Sequence, residues 1–217
     1  WHDYRTAGID DPETAQLPPL DKLQAASQHC DINKVIIDEA ASTVYLEDPQ
    51  MRLDVGAVAK GYATEQVCRA AQNQGIENVL VSIGGNVRAI GSKEGDFWKV
   101  GIQNPGNVED ESIPLLFFKG MSLVTSGTYE RFYTVNGKNY HHIINPDTLY
   151  PAEYYTSVSI LCKDSGMADA LSTAVFNMPY EEGQALVESL PDTEAMWVFA
   201  NGAIKKSSGF DNYTKPN

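Results

Sequence analysis

Cysteine is scarce in this chain. Cys30, Cys68 and Cys162 are the only three in 217 residues, widely separated and odd in number. That excludes a disulfide framework and any cysteine-based metal spacing, predicts buried free thiols, and leaves the redox compartment open. Basic residues are also few, 16 Lys and Arg against 29 Asp and Glu, for a net charge of -13 and a pI near 4.6. A field of that sign repels nucleic acid and anionic membrane surfaces. An anionic ligand would need local help from a helix start, a lysine or a metal ion. No apolar run is long enough for a membrane-spanning helix. Internal repeats, low-complexity tracts, linkers and a signal-peptide pattern are all lacking. The chain opens at Trp1, not at a methionine, as expected of a processed or excised piece.

What is present suits one globular domain over 1–217, with 42% hydrophobic residues. Residues 1–19, with "DDPETAQLPPL", read as an irregular lead-in. "LDKLQAASQHC" reads as a short helix, and "KVIID" with "STVYLED" as a hairpin. A helix is predicted from Ala57 to Asn73, stopped by Gly75. "NVLVSI" reads as a buried strand, followed by strands in "FWKVGIQ", "IPLLFFK" and "MSLVTS". Asn136-Gly137 predicts a tight hairpin within "ERFYTVNGKNYHHII". "TSVSILC" is a strand, Asp164 to Met178 and "YEEGQALVESL" are helices, and "AMWVFANGAIKKS" is a closing hairpin. Strands outnumber helices without regular βαβ alternation, so the fold class is α+β, with mixed or antiparallel sheets and packed helices.

Several stretches carry chemistry. In the Asp164–Met178 helix, Met167, Leu171, Ala174, Val175 and Met178 form one stripe, read as the core face. Asp169 and Thr173 lie roughly opposite, one turn apart. Read alone, the pair suits a solvated face with an acid favoured by the helix dipole; the alternative is a hard-cation site of carboxylate and hydroxyl oxygens. "DVGAVAKGYA" puts Asp54 before a helix and Lys60 in its first turns, a phosphate-friendly arrangement that lacks P-loop spacing. Gly84, Gly85 and Asn86, and then Thr125, Ser126 and Gly127, either let a flat ligand approach the backbone or simply form turns. His141 and His142 are neighbours on a strand and point to opposite faces, so they cannot share one metal in the usual way. One of them can face a pocket and handle protons near neutral pH.

Together, "LDVGAVAKGYA", "VSIGGNVRAIG", "SLVTSGTYERFY", "YHHIINPDTLYPA" and "MADALSTAVF", in this order from Leu53 to Phe176, resemble the ApbE-like family of FAD:protein FMN transferases. The resemblance implies a T-fold-related α+β architecture. It also implies an enzyme that binds FAD with Mg²⁺, transfers FMN to a Thr or Ser hydroxyl of an acceptor protein, and releases AMP. By resemblance, Asp54, Lys60 and Ile143 would contact the flavin nucleotide. Ala57, through its carbonyl, would hold the metal with Asp169 and Thr173, and His142 would accept the proton of the incoming hydroxyl. The family works mostly outside the cytoplasm, often lipid-anchored, and an extracytoplasmic location is implied in the same way.

Two positions depart from the family's usual pattern. Asn145 stands for an aspartate, keeping hydrogen bonding without the charge. Leu149 stands for a glycine and predicts an altered backbone at that turn. The chain is also expected to begin after the family's N-terminal layer, which supplies further FAD contacts. Competing readings are an FAD diphosphatase, with water as acceptor, and a non-catalytic flavin-binding or scaffold protein.

Overall fold

The computed structural model describes residues 1–106, 108–109 and 113–216. In chain order, helices α1 (His2–Asp10) and α2 (Leu20–Ser27) precede strands β1 (Val35–Asp38) and β2 (Thr43–Leu46). Helix α3 (Ala59–Asn73) leads to β3 (Val79–Ile83), β4 (Asn86–Ile90), β5 (Trp98–Gly101), β6 (Leu115–Phe118) and β7 (Ser122–Gly127). Strands β8 (Phe132–Val135), β9 (Lys138–His141) and β10 (Tyr155–Cys162) follow, then α4 (Ser165–Phe176) and α5 (Tyr180–Ser189). Strands β11 (Glu194–Phe199) and β12 (Ile204–Lys206) close the chain. The class is α+β, and every strand pair is antiparallel. The elements cluster into two compact units, Trp1–Val55 with Arg131–Pro151, and Gly56–Glu130 with Ala152–Asn217.

The larger unit is built on a six-stranded sheet in the order β12-β11-β10-β7-β4-β3. Helices α3 and α4 pack on one face. The other face meets β5, β6 and a 3-10 turn through Ala89, Leu123, Leu161, Met196 and Val198, which join Leu116, Phe118 and Phe210 in one apolar cluster. Alternation along each strand then turns Val124, Val158 and Ile160 toward the helices. With both faces covered, β10 reads as an almost continuous run of buried residues. "NVLVSI", read as a buried strand, is instead the sheet's edge. Leu80 and Ile83 of β3 are exposed because β4 is its one partner. Helix α3 ends as its sequence directs: Gly75 takes φ +82°, and the Ile76 N–H reaches back to the Ala71 carbonyl at 3.0 Å.

The smaller unit is held by rings. Trp1 stacks on Tyr140 with centroids 6.1 Å apart, meets Tyr133 and Tyr150 edge-on, and donates its indole N–H to the Leu149 carbonyl at 2.7 Å. This packing makes the first residues helical where an irregular lead-in is predicted from composition. Gly8 of α1 lies so close to Tyr133 that a methyl there would come within 2.6 Å of the ring. The β8–β9 hairpin turns through Asn136 and Gly137, both left-handed, at φ +51° and +79°.

The 145–150 turn corrects one expectation. Asn145 Oδ1 accepts the Asp147 and Thr148 N–H groups at 2.9 and 3.0 Å, so the amide supplies the turn's hydrogen bonds. Leu149 takes the left-handed φ of +62° that a glycine would adopt. A glycine-like backbone is thus held by a leucine, at a steric cost of about 1–2 kcal/mol.

Candidate active site

Helices α3 and α4 start beside one another, and that crossing creates the site. Its closeness comes from Gly61: a methyl at this position would lie 2.1 Å from the Ser165 carbonyl oxygen and 2.6 Å from Asp169 Cβ. The small residue within "AKGYA" lets the two backbones touch. The Asp169 carboxylate then reaches the first turn of α3, where Oδ2 accepts the Gly61 N–H at 2.8 Å and Oδ1 meets Lys60 Nζ at 3.2 Å. A carboxylate at a helix N-terminus is favoured by the exposed N–H groups and the macrodipole.

Asp169 is only 2% exposed, so it does not lie on a solvated face. The predicted core stripe also shifts. Met167 is 54% exposed and Ala174 is exposed, whereas Ala168, Asp169, Leu171, Ser172, Val175 and Phe176 are buried. The physical reason is that α4 has two neighbours, the sheet and α3, and a single apolar stripe anticipates one. Asp164 caps α4 by accepting the Met167 N–H at 2.9 Å.

Thr173 lies one turn beyond Asp169. Its hydroxyl is 3.5 Å from Ser126 Oγ, which is itself engaged with Ser172 Oγ at 2.8 Å, and Ser172 donates to the Asp169 carbonyl. Ser172 and Ser126 thus tie α4 to β7 beside the Asp169–Thr173 pair. No sequence spacing singles out Ser172, since its partner comes from a distant strand. Neighbouring residues on β7 have different surroundings. Thr125 pairs with Ser159 of β10 at 2.8 Å, and the space beside Gly127 is filled by the Tyr129 ring. Burial pushes the Tyr129 phenol up to about 12.

Gly84 and Gly85 form the two-residue turn between β3 and β4, at φ +55° and +86°. The Lys60 side chain lies over this turn, its Cδ 3.2 Å from where a Gly84 methyl would stand. Asn86, next along, is buried, and its Nδ2 has no hydrogen-bond partner among the described residues. Ala57 is exposed in the turn at 56–58 that feeds α3. The larger unit therefore brings Lys60, Gly84, Ser126, Asp169 and Thr173 together.

Asp54, His142 and Ile143 belong to the smaller unit. Asp54 is exposed and Ile143 buried. The two histidines have different surroundings, and His142 lies just past the end of β9. His141 is buried, and its Nδ1 accepts the Ile143 N–H at 3.3 Å. His142 Nδ1 is 3.2 Å from the Arg131 carbonyl. A carbonyl can only accept, so Nδ1 carries the hydrogen and Nε2 keeps a free lone pair. Burial holds the His142 pKa below its ordinary value near 6.5, so the ring is neutral at pH 7.

Oxygen donors in this arrangement suit a hard cation. Asp169 uses two of about four acceptor positions on its carboxylate, and Thr173 adds a hydroxyl. Among the described residues there is no cluster of three or more His, Cys, Asp or Glu that could hold a metal ion.

A fold of this kind has known counterparts. The model of the ApbE family matches residues 2–197, and the chain belongs to that family. It is 35% identical over 212 residues to the FAD:protein FMN transferase of Treponema pallidum, covering 91% of this chain and 59% of that protein. It is 37% identical over 176 residues to the enzyme of the same name from Klebsiella pneumoniae, covering 81% and 54%. Among solved structures, the ApbE protein of Thermotoga maritima superposes with a TM-score of 0.84 at 33% identity, over 94% of this chain and 66% of that one. The flavin transferase ApbE from Vibrio cholerae gives 0.76 at 28% identity, over 91% and 63%. The chain thus spans little more than half the length of these two curated relatives.

Proposed function

We propose that this protein is an FAD:protein FMN transferase, moving FMN from FAD to a Thr or Ser hydroxyl of an acceptor protein and releasing AMP. The observation that carries the reading is Asp169: a carboxylate almost wholly removed from water, set at a helix start against Lys60 and the Gly61 N–H, one turn before Thr173. Buried charge is costly and persists where it has work and partners. Asp169, Thr173 and the Ala57 carbonyl would hold Mg²⁺, which supplies charge neutralisation on a diphosphate.

The chain's own residues divide the remaining work. Lys60 runs its side chain past the Gly84–Gly85 turn to an ammonium beside Asp169, a charge that would favour phosphate oxygens there. Asn86 offers an unsatisfied amide N–H for a polar ligand atom. Asp54 and Ile143 would add contacts to the nucleotide, on the family resemblance. In the transfer, the acceptor hydroxyl oxygen bonds to the FMN-side phosphorus while the bond from that phosphorus to the bridging oxygen breaks. AMP departs with that oxygen, and the hydroxyl proton passes to His142 Nε2. The neutral Nδ1–H tautomer leaves that nitrogen able to accept it. The resemblance also carries an extracytoplasmic location.

Incubation with FAD, Mg²⁺ and a Thr-bearing acceptor protein, followed by in-gel flavin fluorescence after denaturation, tests the reading. An EDTA-sensitive fluorescent band is expected. AMP release without an acceptor would assign a diphosphatase, and a shifted flavin spectrum with neither product would assign a binding protein.

A further inference from the structure

Glu65 is 7% exposed, an acidic side chain set among packed helices. It lies on α3 one turn beyond Gly61. Its Oε2 accepts the backbone N–H of Ser165 at 3.1 Å and Arg88 Nε at 3.0 Å, while Oε1 takes Arg69 Nε at 3.4 Å. Ser165 is the first residue of α4. Helix α3 therefore places a carboxylate at the start of α4, just as α4 places Asp169 at the start of α3.

The pairings Gly61 with Asp169, Glu65 with Ser165 and Arg69 with Asp164 run in opposite sequence senses, so the two first turns lie antiparallel. Two (i, i+4) pairs close a ring of four residues. The ring has no slack, because the Ser165 carbonyl is the atom a Gly61 methyl would strike at 2.1 Å. A shift of α4 along α3 would break the Glu65–Ser165 and the Asp169–Gly61 bonds together.

We propose that Glu65, backed by Arg88, is a positioning residue that sets where the Asp169 carboxylate stands, and through it the affinity of the cation site. This rests on the reading of Asp169 as a cation ligand. The three donors engaged by Glu65 are all N–H groups of this chain, so its action passes through the α4 start and not through the substrate. A carboxylate with a structural role alone would support the melting temperature and leave metal affinity unchanged.

The test is Mn²⁺ binding followed by electron paramagnetic resonance, with circular dichroism to verify folding. Glu65→Gln is expected to weaken Mn²⁺ binding by about 10–100-fold, the range for residues that orient metal ligands. Ser165→Pro is the second variant. Proline suits a first helical position, and Asp164 already has the extended backbone that a following proline requires. It deletes the one backbone N–H that Glu65 holds and keeps the Glu65–Arg88 pair, so weaker Mn²⁺ binding in the same direction is expected even where Glu65→Gln fails to fold. Glu188→Gln is the control, because Glu188 also accepts a backbone N–H, that of Ser208 at 2.7 Å, on α5. Folded Glu65→Gln and Ser165→Pro proteins that bind Mn²⁺ like the parent, with binding lost in Asp169→Ala, would overturn the positioning role alone. Parental binding in Asp169→Ala would overturn the metal reading beneath it.

Discussion

The two units hold their proposed site residues in different ways. In the larger one, Asp169 is fixed by backbone contact between two helices over a sheet whose residues Val158, Ile160, Met196 and Trp197 are fully buried. In the smaller one, His142 follows a two-stranded hairpin, and order comes from a few aromatic rings around Trp1. Its other hairpin, β1–β2, leaves Ile37 67% exposed and Val44, Tyr45 and Ile36 open as well. The cation ligand proposed at Asp169 profits from a site that cannot relax. The proton acceptor proposed at His142 needs a defined tautomer, and one hydrogen bond to a carbonyl supplies it. Hydrogen exchange sharpens the contrast: β10 and β11 amides should be protected most and β1–β2 amides least.

Substitutions can break the comparison. The largest effect is expected from Asp169→Ala, which should lower flavin transfer by about 10³-fold or more, since a lost cation site removes several kcal/mol of charge stabilisation. Fluorescent labelling of the acceptor over time measures it, and a rate near the parent's would remove the metal assignment.

His142→Gln comes next, at about 10²-fold in rate. The pH profile carries the sign. Because burial lowers the His142 pKa, the neutral base persists as pH falls, and the acid limb should have its midpoint below about 6.5. Below that pH an unfolded chain binds a proton that the folded ring resists, so this residue also costs stability toward acid. An acid limb unchanged in His142→Gln would take the proton away from this residue.

Gly61→Ala should destabilise the larger unit by about 1–3 kcal/mol through overpacking against Ser165, read from urea unfolding. Unchanged stability would show that the helix crossing yields, contrary to the rigid half of the comparison. The smallest effect is expected for Trp1→Phe, which keeps a ring but loses the indole bond to Leu149, at about 1 kcal/mol. A much larger loss would make that one bond, and not the ring cluster, what holds the smaller unit.

Much of the secondary structure is legible in the chain itself. Gly75 after Asn73, Asn136-Gly137 between alternating strands and Gly84-Gly85 at a strand end all act through backbone freedom within a few residues, so local reading finds them. The motifs around Lys60, Gly84, Thr125, His142 and Asp169 are likewise visible, and their order points to the family that the comparisons show. Burial is a different matter. Asp169 looks solvated and Met167 looks internal until α3 is laid against α4, because a helical wheel knows its own face and not the number of its neighbours.

The sequence by itself determined the turns, the helix stops, the charge balance and the identity of each donor atom, since these depend on single residues or neighbours in the chain. Only the tertiary structure decided that Gly61 is a contact point, that Glu65 and Asp169 cap each other's helices, and that His2–Asp10 forms a helix. Each of those depends on atoms distant in sequence, where free energy comes from close packing and from satisfying buried charge.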